Sequence, residues 1–187
     1  MKNLIVQVFI DKKGWEHEHR LNAQSDEVLY LSTSLVKNYA KINNVDYKLI
    51  TKPKINFKHP TWERFQFFED NWTKNYANIL YLDTDVFTWP SSPNIFKYLK
   101  SDCFNVVDHY YKKRFNNLPM FNAGVFAVNK TSARIMKSYI SKEIWLDNFK
   151  RDQFWEDSKE LNLLVQKSKV KLNWLNSNWN RKNKPDA

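Results

Sequence analysis

Glycine is nearly missing from this chain: Gly14 and Gly124 are the only two among 187 residues. A dinucleotide fingerprint and a phosphate-cradling P-loop both need several glycines in a short span, because the backbone must close tightly on a pyrophosphate. Both devices are excluded, so a bound nucleotide has to be held by side chains and a metal. Cysteine is scarcer still, with Cys103 alone. That rules out an internal disulfide framework and a zinc cluster of thiolates, and it suits a reducing, cytoplasmic compartment. No apolar run approaches the roughly 20 residues that cross a bilayer. The start, Met1-Lys2-Asn3-Leu4, has a positive residue before an apolar run. Gln7 and Asp11 interrupt that run and no small-residue cleavage site follows, so no signal peptide is expected.

Hydrophobic residues make up 42% of the chain and aromatic residues 16%, which excludes a disordered polymer and predicts a core built more from rings than from aliphatics. The length suits one α/β domain over residues 1–187. A net charge of +10 attracts anions, whether nucleic acid, anionic lipid headgroups at a membrane surface or phosphorylated small molecules. The lysines are spread along the chain, so charge alone does not choose among these, and a merely solvated surface explains it equally well.

Residues 4–10 read as a first strand, almost wholly apolar. Residues 11–24 read as a polar loop, in which His17-Glu18-His19 is either a metal site or, more simply, solvated. Ser25 is placed to cap a helix with Asp26 and Glu27 in its first turn, where the helix dipole favours anions. Val28, Leu31, Leu35, Val36 and Tyr39 follow at helical spacing, and a short strand is expected over residues 47–50. Thr61 is expected to cap a second helix with Trp62, Phe65, Phe68 and Trp72 inward and Glu63, Arg64, Glu69 and Asp70 mostly outward. A cation in a first turn opposes the dipole; Arg64 is therefore either a tolerated surface arginine or a group that faces an anionic ligand.

Ser91-Ser92-Pro93 reads as the cap of a short helix containing Ile95, Phe96 and Leu99, with another strand over residues 103–107 ending at Asp108-His109. Residues 110–119 read as a loop over the site. Thr131 or Ser132 should cap a helix with Ile135, Met136 and Tyr139 inward. Asp152 should cap the next, which carries Phe154, Trp155, Leu161, Leu164 and Val165, before a last strand over residues 170–175.

Two stretches carry chemistry. Residues 79–82 read as a buried strand that runs into Asp83-Thr84-Asp85. On extended backbone, side chains two apart point to the same side with roots about 6–7 Å apart. Two acids so placed repel unless a cation lies between them, and a hard dication such as Mg²⁺ or Mn²⁺ fits oxygen ligands. Ligands of open α/β sheets collect at strand carboxyl ends, where these acids would lie. The second stretch is Phe121-Asn122-Ala123-Gly124-Val125, a polar, small, glycine trio before an apolar run. Glycine there marks a special backbone angle, the close approach of a ligand, or an ordinary turn into a strand.

In this order the stretches resemble the GT-A fold glycosyltransferases of the glycogenin-like and bacterial galactosyl- and glucosyltransferase kind. Residues 36–40 with Asp46-Tyr47 are similar to the first helix and second strand, residues 79–85 to the strand with its Asp-x-Asp motif, and residues 121–125 to the strand that faces the sugar. Asp152-Gln153, Leu161-Asn162, Trp174-Leu175 and Trp179-Asn180 are similar to the closing segment. The resemblance implies a mixed, mostly parallel sheet flanked by helices. It also implies a nucleotide-sugar donor, in this kind a UDP-sugar, a Mn²⁺ or Mg²⁺ ion, and a glycan, lipid or protein acceptor, with retention of configuration. It assigns Asp83 and Asp85 to the metal, and Phe9, Asp11, Arg64, Asp83 and Lys184 to the nucleotide. Asn122, Ala123 and Gly124 fall on the sugar and acceptor side, together with Asp152 and Gln153, which it makes the catalytic pair. Such relatives carry a further metal-binding histidine before a Lys-Pro pair. Here Lys184-Pro185 is present, but no histidine follows His109. Water or the diphosphate then completes the coordination, or the site is weak, or that ligand lies beyond this sequence.

Two other readings stand beside this one. A phosphotransferase of the haloacid-dehalogenase type also ends a strand in Asp-x-Asp, with the first acid as nucleophile. It carries the motif on its first strand and needs a later acidic cluster near glycine, which this chain lacks. A nucleic-acid-binding module would use the +10 charge and the rings, since bases stack on aromatic side chains in basic grooves. Most rings, however, fall at core periodicity.

Overall fold

The structure, a computed structural model, describes residues 1–10, 26–55, 60–108, 114–115, 118–140 and 156–180. The elements are β1 (Lys2–Val8), α1 (Asp26–Ile42), β2 (Asp46–Ile50), a 3₁₀ segment (Pro60–Phe68), α2 (Asp70–Thr73) and β3 (Tyr76–Leu82). A second 3₁₀ turn (Ile95–Tyr98) leads to β4 (Phe104–Asp108), the two-residue strands β5 (Arg114–Phe115) and β6 (Leu118–Pro119), and β7 (Phe121–Asn129). The chain continues through α3 (Lys130–Lys137), α4 (Glu156–Ser168), β8 (Leu172–Leu175) and a last 3₁₀ turn (Ser177–Asn180). No helix among the described residues is long and apolar enough to cross a membrane.

Six strands form one sheet in the order β2-β1-β3-β7-β4-β8. β1 pairs in parallel with β2 and β3, and β4 with β8, while β7 runs antiparallel between β3 and β4. This is the mixed, mostly parallel sheet expected. β3 and β7 lie in its centre, buried on both faces, which is why both read as nearly continuous apolar runs.

Alternate residues of these strands feed two separate cores. Ile79 and Tyr81 join Phe67, Phe68, Phe104 and Phe126 under the long 3₁₀ segment, α3 and α4. Leu80 and Leu82 join Ile5, Val36, Val107 and Val125 beneath α1 and Ile95. In the first core Tyr81 stacks on Phe126 at 4.9 Å between centroids, and Phe67 meets Trp72 edge-on at 5.1 Å. Such ring pairs contribute about 0.5–1.5 kcal/mol beyond their area.

Several local expectations are corrected. The segment after Thr61 is 3₁₀, with three residues per turn, so Trp62, Phe65 and Phe68 share one edge as expected. Glu63 and Arg64 are nevertheless buried rather than outward, at 1% and 3% exposure. Glu63 accepts the backbone N–H groups of Lys54 and Ile55, and Arg64 is occupied as described below. On α1 the inward residues are Ser32, Val36, Tyr39 and Ala40, while Leu31 is exposed, because Ser32 takes the inward place to reach a turn carbonyl. Asn94, not Ser91 or Ser92, caps the short 3₁₀ turn by accepting from the Phe96 N–H. Asn129, not Thr131 or Ser132, caps α3, with Ser132 completing a capping box. Because α3 stops at Lys137, Tyr139 is exposed rather than inward. The expected cap at Ser25, the His17-Glu18-His19 loop, and Phe154 and Trp155 lie outside the described residues.

Candidate functional site

The site is built where β1 and β3 end and β7 begins. Because β7 is antiparallel, its first residues sit beside the carboxyl end of β3, with Leu82 opposite Val125. The ladder extends one step further, as the Asp83 N–H donates to the Gly124 carbonyl at 2.8 Å. Strand β3 then stops. The Val86 N–H donates back to the Asp83 carbonyl at 3.1 Å, so residues 83–86 form a tight turn. This corrects the extended spacing expected for Asp83 and Asp85, because the second acid lies on a turn rather than two steps along a strand.

The two acids meet different surroundings. Asp83 shares a face with Tyr81, two residues before it, as strand alternation requires. Its Oδ1 accepts from the Tyr81 hydroxyl at 2.6 Å and from the Arg64 guanidinium at 3.2 Å. Arg64 also donates to the Ala123 carbonyl and the Thr61 carbonyl, each at 2.9 Å, and lies over the Tyr81 ring at 5.1 Å. A guanidinium with its fork spread over three acceptors is fixed in place. The first-turn arginine is therefore not a surface residue, since it supplies the cation that faces the Asp-x-Asp motif. Oδ2 of Asp83 lies against Gly124, where an added Cβ would stand 2.6 Å from it and 3.0 Å from Asn122 Oδ1. Close approach of the Asp83 carboxylate, rather than of a ligand, is the reason for glycine here. The position is inside β7, which corrects the alternative of a turn before the strand. Asn122 Oδ1 in turn accepts the Gly124 N–H at 2.7 Å.

Asp85 is exposed and borders a cavity of about 650 Å³ on the other side of the sheet, with Leu80, Leu82 and Val125 among its walls. Phe9 is the first residue past the end of β1, held by its N–H to the Ile50 carbonyl at 2.9 Å. Thus Asp83, Asp85, Arg64, Asn122, Ala123, Gly124 and Phe9 all fall at one end of the sheet. Asp11, Asp152, Gln153 and Lys184 lie outside the described residues.

Four polar residues to which the sequence reading gave no role at the site hold this arrangement. Gln7 is wholly buried in β1 and donates from Nε2 to the Asp83 carbonyl at 3.2 Å and to Ser32 Oγ at 3.1 Å. Ser32 donates to the Val86 carbonyl at 2.6 Å, and Tyr47 donates to Gln7 Oε1 at 3.0 Å. Burial pushes the Tyr47 hydroxyl up to about 12, so it remains a donor at neutral pH. The Asp83 and Val86 carbonyls, at the two ends of the turn, are thereby clamped from the α1 side. On the far side Asn162 of α4 accepts the Phe121 N–H at 3.1 Å and donates to the Phe121 carbonyl, fixing the start of β7. The available signal was a glutamine interrupting an otherwise apolar strand, since an uncompensated buried amide would be costly.

Among the described residues no three His, Cys, Asp or Glu side chains gather as a metal cage. The donor set still fits a hard dication of the Mg²⁺ or Mn²⁺ class. Such ions are commonly held by one or two carboxylates, with substrate phosphates and water completing the shell. Asp85 is exposed and Asp83 keeps Oδ2 on the Gly124 side.

No protein-family model matches the chain, and no curated protein matches it in sequence. Solved structures do match in shape. A glycosyltransferase involved in glycosylation of the major capsid of the virus PBCV-1 superposes with a TM-score of 0.57 at 12% identity, over 94% of this chain and 82% of that one. The galactosyltransferase LgtC, solved with donor and acceptor sugar analogs, gives 0.54 at 15% identity, over 93% and 73%. The catalytic domain of Drosophila β1,4-galactosyltransferase 7, solved with xylobiose, gives 0.50 at 12% identity, over 93% and 65%. The chain has the GT-A fold of these glycosyltransferases.

Proposed function

We propose that this protein is a metal-dependent glycosyltransferase that moves a hexose from a nucleoside-diphosphate sugar, a UDP-sugar by resemblance, to a glycan, lipid or protein acceptor. The observation that carries the reading is the Asp83 carboxylate, set at the end of a central strand between Arg64 and Gly124 and flanked by the Asn122-Ala123-Gly124 edge. Fold likeness to a galactosyltransferase solved with donor and acceptor sugar analogs supports it.

Each residue has a role that its place allows. Asp85 and the Oδ2 side of Asp83 would hold the dication, which when bound neutralises charge on a departing diphosphate. Arg64 keeps Asp83 oriented and adds positive potential beside the phosphates. Phe9 would face the base, with Asp11 and Lys184 assigned to the nucleotide by resemblance. Asn122, Ala123 and Gly124 would line the sugar, as the resemblance implies. Asp152 and Gln153 are proposed as the catalytic pair, acting with retention, on the resemblance alone.

Calorimetry of UDP with Mn²⁺ tests the proposal. The wild type should bind in a metal-dependent way. Asp85→Ala should weaken binding at least tenfold while changing stability by less than about 0.5 kcal/mol, as for an exposed side chain. Metal-independent binding, or equal binding by the variant, would overturn the assignment.

A further inference from the structure

The cavity beside Asp85 is only part of a longer depression. A second cavity of about 550 Å³ lies between the short 3₁₀ turn after β3 and the end of β8, and Ser92, Asn178 and Trp179 line both. The joined trough runs from the Asp83–Val86 turn, across Trp179, to the outer edge of the sheet at Trp174. Four of its rings stand out from the surface: Phe87 and Trp89 at one end, Tyr98 and Trp174 at the other, with Trp89 62% and Tyr98 54% exposed. Trp179 sits between them, 6.0 Å from Tyr98.

Three features describe what would fit. The chain carries 30 lysines and arginines, yet among the described residues none lines either cavity, and Asp85 is the only charged group there. An anionic ligand, whether nucleic acid or a phosphate headgroup, would be expected to meet cations. Amides are concentrated instead, from Asn173, Asn176 and Asn178, which rules against a purely apolar occupant such as a lipid tail. An amide both donates and accepts, which matches a hydroxyl, itself both donor and acceptor. Thr88, beside Asp85, adds a buried hydroxyl with no hydrogen-bond partner among the described residues.

We propose that this trough binds a neutral oligosaccharide, its C–H faces against Trp89, Trp179 and Trp174 and its hydroxyls on the asparagine amides. One end of the chain is then delivered beside Asp85. That the bound chain serves as the acceptor rests on the glycosyltransferase reading; the binding itself does not.

The test uses the intact chain with cellohexaose, maltohexaose and xylohexaose as probes, read by tryptophan fluorescence and calorimetry without donor. At least one should bind saturably, and Trp89→Ala and Trp174→Ala should each weaken it about tenfold while leaving binding of UDP with Mn²⁺ unchanged. Both rings are exposed, so their removal spares the core. A protein that binds UDP but none of the three sugars overturns the trough. So does sugar binding that neither variant alters, or displacement of the sugar by oligothymidylate. Sugar binding lost in the variants, with no UDP binding at all, keeps the trough and removes the donor reading. A protein that binds neither overturns both.

Discussion

The two faces of the central sheet solve the same packing problem with different materials. Under the long 3₁₀ segment the space is filled by rings, with Phe67, Phe68, Phe104 and Phe126 wholly buried. Into that face the chain also places ionic and polar groups, Arg64, Glu63 and Gln66, each with named partners. Under α1 the fill is mostly aliphatic, with Ile5, Val36, Leu80 and Val125 around the Tyr39 ring, and the face opens into a cavity next to Asp85. One face is closed around an ion pair and the other leaves room. The difference also marks the two acids: Oδ1 of Asp83 is tied to the closed face by Arg64 and Tyr81, while Asp85, just past it on the same turn, borders the open one. Rigidity is invested where geometry must be held and space is kept where something must enter.

Removing the ion pair should break the contrast most severely. Arg64→Ala leaves the Asp83 carboxylate without its cation and two carbonyls without a donor, so a loss of about 3 kcal/mol is expected in urea denaturation. Arg64→Lys should recover less than half, because an ammonium cannot span the Thr61, Ala123 and Asp83 acceptors together. A cost below about 1 kcal/mol for the alanine variant would mean that the ring face holds itself without the charge.

Gly124→Ala is a narrower probe of the same junction. Its Cβ would press on Asp83 Oδ2, so the carboxylate or β7 must shift, at about 1–3 kcal/mol. Metal-dependent UDP binding should fall with it. Unchanged stability and binding would show that Asp83 has another position open to it.

The smallest effect belongs to the aliphatic face. Burial holds Tyr47 protonated up to about 12, against about 10 in the unfolded chain. A raised folded value contributes stability that is fully present below about pH 10 and is lost as pH climbs through about 12. Tyr47→Phe should remove that alkaline slope while keeping the ring. Denaturation midpoints for both proteins across this range decide it.

Much of the fold was legible because the central strands are apolar on both sides and short of turn residues, as residues 79–82 show. The motif was legible because two acids after such a strand are costly unless used. The strand reversal at β7 was not legible, since an apolar run carries no direction. Arg64 could be read two ways because its partner is remote in sequence, and helix logic placed it outside. Ser32 was hidden for a similar reason: a serine in a helix looks like surface until a turn carbonyl from another segment is brought against it. Gln7 left a mark in the sequence as an interruption, but its meaning needed the turn at residues 83–86 to be in place.

The reversal of β7 has an evolutionary consequence. Asn122, Ala123 and Gly124 come up beside Asp83 from the opening residues of a ladder-bonded strand, and Asn162 ties that opening to α4. The segment between β4 and β7 can therefore lengthen, shorten or change sequence without displacing them, so that stretch can drift while the Asp83–Gly124 junction stays put.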